Sequence, residues 1–159
     1  MDTRFDWFKV SPAAAHALLK LQAYINDAGL DHKLLELVKL RTSQLNGCAF
    51  CIDMHTKDAR ASGETEQRLY LVAAWREAAH LYSEKEQAAL EWTEAVTNVQ
   101  DEHVPQAAFS RARAQFGEAE LVTLTLAIST TNSWNRLNVA FRKAAGDYQP
   151  GLFKPAANR

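Results

Sequence analysis

Apolar residues recur every three or four positions along most of the chain, which is the spacing of one face of an α-helix. Leu18, Leu21 and Ile25, for example, share a face in the segment that ends at Gly29. The sequence contains no run of alternating β-branched residues between turn signals, the pattern typical of a half-buried strand. The pattern predicts an all-α fold of about six or seven helices, at residues 12–29, 32–45, 48–61, 65–79, 83–99, 105–117 and 118–145.

Capping residues support several of these boundaries. Pro12 at the first position of a helix follows Ser11, and Asp31 stands where the N-cap of the second helix is expected. Ser83 and Glu86 have the spacing of a capping box at the start of the fifth helix. The sequence therefore predicts helices that are joined by short turns.

Two polar features interrupt the apolar pattern. Arg41 lies within the apolar stripe of the second helix, where an arginine is more often paired or at an interface than catalytic. The run 129–133 consists of weak helix formers, but the apolar phase resumes in register after it, so we expect one continuous last helix. We interpret the residues of this region first as packing residues and second as residues that support an active site: Asn132, Trp134, Asn135 and Arg136.

Length and composition limit the classes of protein to be considered. With 159 residues, 47% of them apolar, and a net charge of −1, the chain is expected to form one helical domain, residues 1–146, and an extended tail, residues 147–159. The near-neutral charge argues against a nucleic-acid binder. No apolar run is long enough for a membrane span, and the first residues lack the pattern of a secretory signal. We therefore expect a cytoplasmic protein.

Both cysteines of the protein lie in the stretch NGCAFCIDMHTKDARA, residues 46–61. Cys48, Cys51 and His55 stand at positions i, i+3 and i+7, so a helix would place both sulfurs and the imidazole on one face. The weak helix formers that precede Cys48 place it near a helix start, where partial positive charge favours the thiolate over the thiol. A CxxC pair in a reducing compartment indicates redox chemistry or metal binding.

Two alternatives to catalysis use the same residues. In one, the cysteine pair is a non-enzymatic redox sensor that acts through contacts with a partner. In the other, two thiolates and an imidazole are three ligands of a zinc ion, which needs a fourth. The remaining histidines are scattered and do not select a fourth ligand: His16, His32, His80 and His103.

Glu36, followed after eleven residues by Cys48-x-x-Cys51-x-x-x-His55, resembles the signature of the alkyl hydroperoxidase D (AhpD) and carboxymuconolactone decarboxylase family. The segment ELVKLRTSQLNGCAFCIDMHTKDARASGETEQRL is similar to the AhpD core, and TNSWNRLNVAFR is similar to the C-terminal helix of the family. The resemblance implies an all-helical fold that assembles into trimers or hexamers. It also implies a peroxidase that acts on a peroxide substrate and is reduced by a separate dithiol donor, and we expect no cofactor.

The resemblance also implies roles for individual residues. Cys51 would be the thiolate that attacks the peroxide oxygen, and Cys48 would resolve the sulfenic acid by forming the disulfide. His55 would be the general base towards Cys51, through a water, and Glu36 would orient and polarise His55. Phe50 stands where characterised hydroperoxidases of the family can carry a second histidine, which implies a shorter proton relay. The CxxC argues against the decarboxylase branch, which typically lacks it.

Helical periodicity alone gives a different expectation for Glu36. On a helical wheel this residue lies almost opposite the stripe formed by Leu34, Val38 and Leu45, so the pattern predicts that its carboxylate is exposed to solvent. The catalytic role of Glu36 therefore rests on the resemblance, and the two expectations agree only if the helix buries a second side.

Overall fold

The computed structural model describes residues 2–152. Within this range the chain forms nine α-helices and two 3₁₀ helices, without a β-strand, and no helix is long and apolar enough to cross a membrane. The α-helices are α1 (Trp7–Val10), α2 (Pro12–Asp27), α3 (His32–Leu45), α4 (Ala49–Ala61), α5 (Glu66–Leu71), α6 (Glu84–Thr97), α7 (Val99–Glu102), α8 (Gln106–Gln115) and α9 (Glu118–Ala140). The 3₁₀ helices are Val72–Ala74 and Ala79–Leu81. The predicted all-α fold is confirmed.

The structure adds two single-turn helices, α1 and α7, that are too short to produce a periodic pattern. α1 begins after Asp6, whose carboxylate accepts a hydrogen bond from the Phe8 N–H at 3.1 Å. It buries Trp7 against Trp134 of α9, with ring centroids 5.6 Å apart. Through this contact the start of the chain packs against α9, beside the cysteines.

α3 is the central helix of the fold and packs against α4, α6 and α9. One side of it, with Leu35 and Val38, belongs to a core shared with α2, α6, α8 and α9. Another side, with Leu37 and Leu40, belongs to a second core shared with α4, α5 and residues 72–82. Because α3 is buried on two sides, a pattern with one apolar face describes it only in part.

The prediction of one helix over residues 65–79 is wrong. α5 ends early, and the chain continues into the 3₁₀ helix Val72–Ala74. The buried residues here are Val72, Trp75 and Ala78, and their spacing of three matches the 3.0-residue turn of a 3₁₀ helix. Packing of these side chains into the second core therefore overrides the helix propensity of an alanine-rich sequence.

α9 continues through the polar run 129–133, as predicted. The side chain of Asn46, which follows α3, donates hydrogen bonds to Oδ1 of Asn132 and to Oδ1 of Asn135, each at 2.9 Å. The polar patch therefore contacts the end of α3, which agrees with the interpretation of Asn132 and Asn135 as packing residues.

α9 ends at Ala140, earlier than the predicted 145, because Arg142 has a positive φ of 54° that does not continue an α-helix. Beyond it, Tyr148 packs edge-on against Phe50 of α4, with ring centroids 6.4 Å apart. The first part of the predicted tail, residues 147–159, thus contacts the chain's own fourth helix. Its remainder, 153–159, lies outside the described residues.

We predict that Asn46→Ala lowers the free energy of unfolding by about 1–3 kcal/mol, because the buried amide oxygen of Asn135 loses a donor. Urea unfolding followed by circular dichroism measures the change. Ser133→Ala removes an exposed hydroxyl of the same region and should change stability by about 0.5 kcal/mol or less. Equal effects of the two substitutions would show that the asparagine network does not stabilise the fold.

Candidate active site

The turn between α3 and α4 places Cys48 at the start of a helix, as predicted. Asn46 caps α3, and Gly47 follows with a φ of 63°, a left-handed conformation that is costly for residues with a Cβ atom. Cys48 is the N-cap of α4, and Cys51 lies in its first turn. The N–H groups of a first helical turn carry partial positive charge, so this position favours a thiolate once the cysteines are reduced.

Cys48 and Cys51 are joined by a disulfide, with Cα atoms 5.3 Å apart. The two residues are 1% and 0% exposed, in a small cluster with Phe50 and Tyr148. The disulfide is one oxidation state of a CxxC pair, and its two-electron reduction gives two thiols about one helical turn apart.

Glu36 and His55 form a buried hydrogen bond between α3 and α4. Oε2 of Glu36 lies 3.0 Å from Nδ1 of His55, and the residues are 4% and 8% exposed. The expectation from periodicity that Glu36 is exposed is therefore wrong, because α3 buries its second side against α4. A carboxylate only accepts hydrogen bonds, so Nδ1 carries the proton and Nε2 is the nitrogen that can accept another.

Lys39 is a second partner of the buried carboxylate. Its Nζ donates to Oε1 of Glu36 at 3.0 Å, and Lys39 is itself buried. Burial alone would raise the pKa of Glu36, but the hydrogen bond from His55 and the charges of His55 and Lys39 outweigh it and hold that pKa well below its usual range. Glu36 is therefore a carboxylate that fixes the orientation of the His55 ring.

Asn138 of α9, which is distant from the cysteines in the sequence, contacts the disulfide. Its Nδ2 lies 3.4 Å from Sγ of Cys51, and its Oδ1 accepts a hydrogen bond from Nε1 of Trp7 at 3.2 Å. Sequence reasoning missed both Asn138 and Lys39. Asn132, Asn135 and Asn138 recur every three residues on one predicted helix, and this spacing could have indicated that Asn138 shares a polar face with the other two.

A cavity of about 380 Å³ lies beside this cluster. Its polar lining includes Glu36, Lys39, His55 and Asn138, whereas neither sulfur of the disulfide is part of the lining. The apolar lining comes from α1, α2, α4 and α9: Phe8, Leu19, Phe50, Met54 and Trp134. The volume and the apolar lining suit a small organic molecule.

Residues 146–151 close one side of the cavity and are attached to α4. The Tyr148 hydroxyl donates to the Asp58 carboxylate at 2.8 Å, and Lys57 Nζ donates to the carbonyl oxygens of Gly146 and Tyr148 at 2.8 and 3.1 Å. Burial and the hydrogen bond to Asp58 raise the pKa of Tyr148, so it remains a phenol donor. This segment covers the cysteine cluster through Tyr148.

The other residues singled out in the sequence have mainly structural contacts. Arg41 is paired, as predicted, with Nη2 at 2.7 Å from Glu94, which also accepts from Nε1 of Trp75. Of the four α9 residues, Trp134 lines the cavity, and the others form hydrogen bonds around the α3–α9 contact: Asn132, Asn135 and Arg136. Between residues 2 and 152, no group of three or more His, Cys, Asp and Glu side chains is arranged to hold a metal ion.

The site combines a CxxC pair with an imidazole held by a buried carboxylate, in an all-helical fold. Residues 12–95 match the carboxymuconolactone decarboxylase family. The uncharacterised protein YdfG of Bacillus subtilis is 41% identical to this chain over 145 residues, which are 91% of this chain and 98% of YdfG. The chain belongs to the carboxymuconolactone decarboxylase family.

Solved structures show the same fold. ATU0492 from Agrobacterium tumefaciens, a protein of unknown function and a candidate antioxidant defence protein AhpD, matches with a TM-score of 0.89 and 42% identity, over 92% of this chain and 100% of that chain. The apo debrominase Bmp8 matches with a TM-score of 0.75 and 18% identity, over 88% of this chain and 74% of that chain. The AhpD-like fold is therefore confirmed, and the likeness to Bmp8 concerns the fold alone.

We predict that the free energy of unfolding decreases as the pH is lowered, and that Glu36 causes part of this decrease. Its pKa is lower in the folded protein, so its stabilising effect is present above the unfolded-state value of 4.5 and is lost as the pH falls below it. Between about pH 7 and pH 3, the free energy of unfolding measured with urea should decrease more steeply for the parent than for Glu36→Gln. At pH 7 Glu36→Gln should itself lower the free energy of unfolding by about 3 kcal/mol, because the buried ammonium group of Lys39 loses its carboxylate partner.

The matched control is Glu118→Gln, since the side chain of Glu118 is 88% exposed. It should retain the pH profile of the parent. Parallel profiles for the parent and Glu36→Gln would mean that the buried carboxylate does not contribute to the acid sensitivity of the fold.

Proposed function

We propose that the protein is a thiol-dependent peroxidase that reduces an organic hydroperoxide through a dithiol–disulfide cycle of Cys48 and Cys51. The main support is the position of the CxxC pair at the start of α4, next to the buried Glu36–His55 pair and to a cavity lined by His55. Membership of the family and the likeness to a candidate antioxidant defence protein agree with this chemistry.

In the first step Cys51 is the nucleophile. His55 accepts the thiol proton, through a water, and the helix start stabilises the thiolate. The thiolate attacks the terminal oxygen of the hydroperoxide, so that an S–O bond forms and the O–O bond breaks. Cys51 becomes a sulfenic acid, and the alkoxide takes the proton from His55 and leaves as an alcohol. Glu36 keeps Nδ1 protonated, so Nε2 makes both transfers.

In the second step Cys48 resolves the sulfenic acid. Its sulfur displaces the hydroxyl group from Cys51, the disulfide forms and water leaves. The disulfide of the structure is the product of this step, and a Cα separation of 5.3 Å lets it form within one turn. An external dithiol then reduces the pair by exchange, so each cycle converts a dithiol and a hydroperoxide into a disulfide, an alcohol and water.

The lining of the cavity supports an organic hydroperoxide as the substrate. Phe50, Met54 and Trp134 offer apolar surface to an alkyl or aryl group, while His55 marks the polar end. Neither bonded sulfur lines the cavity, which agrees with the disulfide being the product state that does not react with a peroxide.

Two kinds of partner belong to this proposal. The first is the external dithiol, a protein or a small thiol, which supplies the electrons. The second is further copies of this chain, in the trimer or hexamer that the resemblance implies.

We predict different products for the two cysteine variants. One equivalent of cumene hydroperoxide should remove two hydrogens from the reduced parent within seconds. Cys48→Ser should stop at a sulfenic acid that dimedone traps, because it lacks the resolving thiol, and Cys51→Ser should stay unmodified. Intact-mass spectrometry of quenched samples distinguishes the three outcomes.

Equal reactivity of the two variants would contradict this division of roles. If the parent reacts no faster than a free thiol, the peroxidase proposal fails, and the redox sensor becomes the better hypothesis. Stoichiometric zinc in purified protein, lost in either cysteine variant, would instead support the metal-binding alternative.

A further inference from the structure

We propose that Asn138 is a catalytic residue that stabilises the Cys51 thiolate by donating a hydrogen bond from its side-chain amide. The inference rests on the proposed function, in which Cys51 attacks as the thiolate. In the disulfide form Nδ2 of Asn138 already lies 3.4 Å from Sγ of Cys51, and both residues are buried. The disulfide sulfur stands here for the thiolate sulfur of the reduced protein.

The orientation of the amide follows from its other partner. Nε1 of Trp7 lies 3.2 Å from Oδ1 of Asn138, and an indole N–H can only donate. The oxygen of the amide therefore faces Trp7, and the NH₂ group faces the sulfur. Trp7 is buried against Trp134, so α1 fixes the amide in this orientation.

A donor at this place changes the chemistry of the sulfur. A hydrogen bond to the charged form of a group favours that form, and it is stronger where water is excluded. Cys51 is 0% exposed, so bulk solvent does not compete with the amide as a donor. Asn138 thus offsets part of the free-energy cost of burying a thiolate. The N–H groups at the start of α4 offset another part of this cost.

Other titratable groups lie around the cysteine cluster and its cavity, and the test must hold them constant. They lie on α3, on α4 and in the segment after α9: Glu36, Lys39, His55, Asp58, Lys143 and Tyr148. Substitutions confined to Asn138 and Trp7 leave all of these groups in place. A change in the titration of Cys51 is then a property of the amide.

The experiment titrates Cys51 as the single thiol of the reduced Cys48→Ser protein, by thiolate absorbance near 240 nm and by the pH dependence of iodoacetamide alkylation. Adding Asn138→Leu, which has a similar shape and no donor, should raise the pKa of the thiol by about one unit. Asn138→Asp should raise it further, because a carboxylate would face the thiolate. Trp7→Phe keeps the aromatic contact but frees the amide, and should raise the pKa by less.

Asn135→Leu is the matched control. Asn135 is also a buried asparagine of α9, but it donates to Oγ of Ser43 and not to a sulfur. Its substitution should lower the melting temperature while leaving the pKa of the thiol unchanged. If Asn138 had only a structural role, Asn138→Leu would likewise lower the melting temperature and leave the pKa of the thiol unchanged.

An unchanged pKa in both Asn138→Leu and Trp7→Phe would overturn the proposal. If Asn138→Leu does not fold, Trp7→Phe and Asn138→Asp decide the question. Because the titration uses no peroxide, its result is separate from the peroxidase test. If the variants raise the pKa of the thiol but the parent does not react with a peroxide, the role of Asn138 is supported and the peroxidase proposal is rejected. If the pKa is unchanged but the parent reacts with a peroxide, only the role of Asn138 is rejected.

Discussion

The buried carboxylate of Glu36 is the group on which the rest of the site depends. A carboxylate removed from water costs several kcal/mol unless charged partners and hydrogen bonds replace the water. Lys39 supplies the charge from the same helix, and His55 supplies a hydrogen bond from α4. This arrangement joins the two helices that meet at the cysteines, and it holds His55 in one tautomer.

Asparagines on α9 complete the arrangement from the opposite side. Asn132 and Asn135 bond to Asn46 at the end of α3 and so fix the turn that leads to Cys48. Asn138, one turn further along, reaches Cys51 itself. A run of polar residues inside an otherwise apolar helix is thus explained by its contact with the α3–α4 turn. Asn132 and Asn135 therefore stabilise the fold, and Asn138 contacts the sulfur.

The sequence predicts those features that depend on local patterns. The period of α9, the end of α3 before the cysteines and the position of Cys48 at the start of α4 all follow from residues close together in the chain. Each is set by backbone geometry and nearest-turn contacts.

The features that the sequence does not predict depend on packing between distant segments. Periodicity makes Glu36 an exposed residue, since it does not show that α3 is covered on two sides. The 3₁₀ helix Val72–Ala74 replaces a predicted α-helix because Trp75 packs into a core formed elsewhere in the chain. Asn138 and Cys51 are separated by 87 positions, so nothing near the CxxC indicates the asparagine.

The central claim is that His55, held by Glu36, moves the protons for a reaction at Cys51. The most direct measurement is the rate constant for oxidation of reduced protein by an organic hydroperoxide, in quenched flow, for the parent, His55→Gln and the exposed-residue control His16→Gln. We expect His55→Gln to react about 100-fold more slowly or worse, and His16→Gln to match the parent. Equal rate constants for all three proteins would contradict the claim.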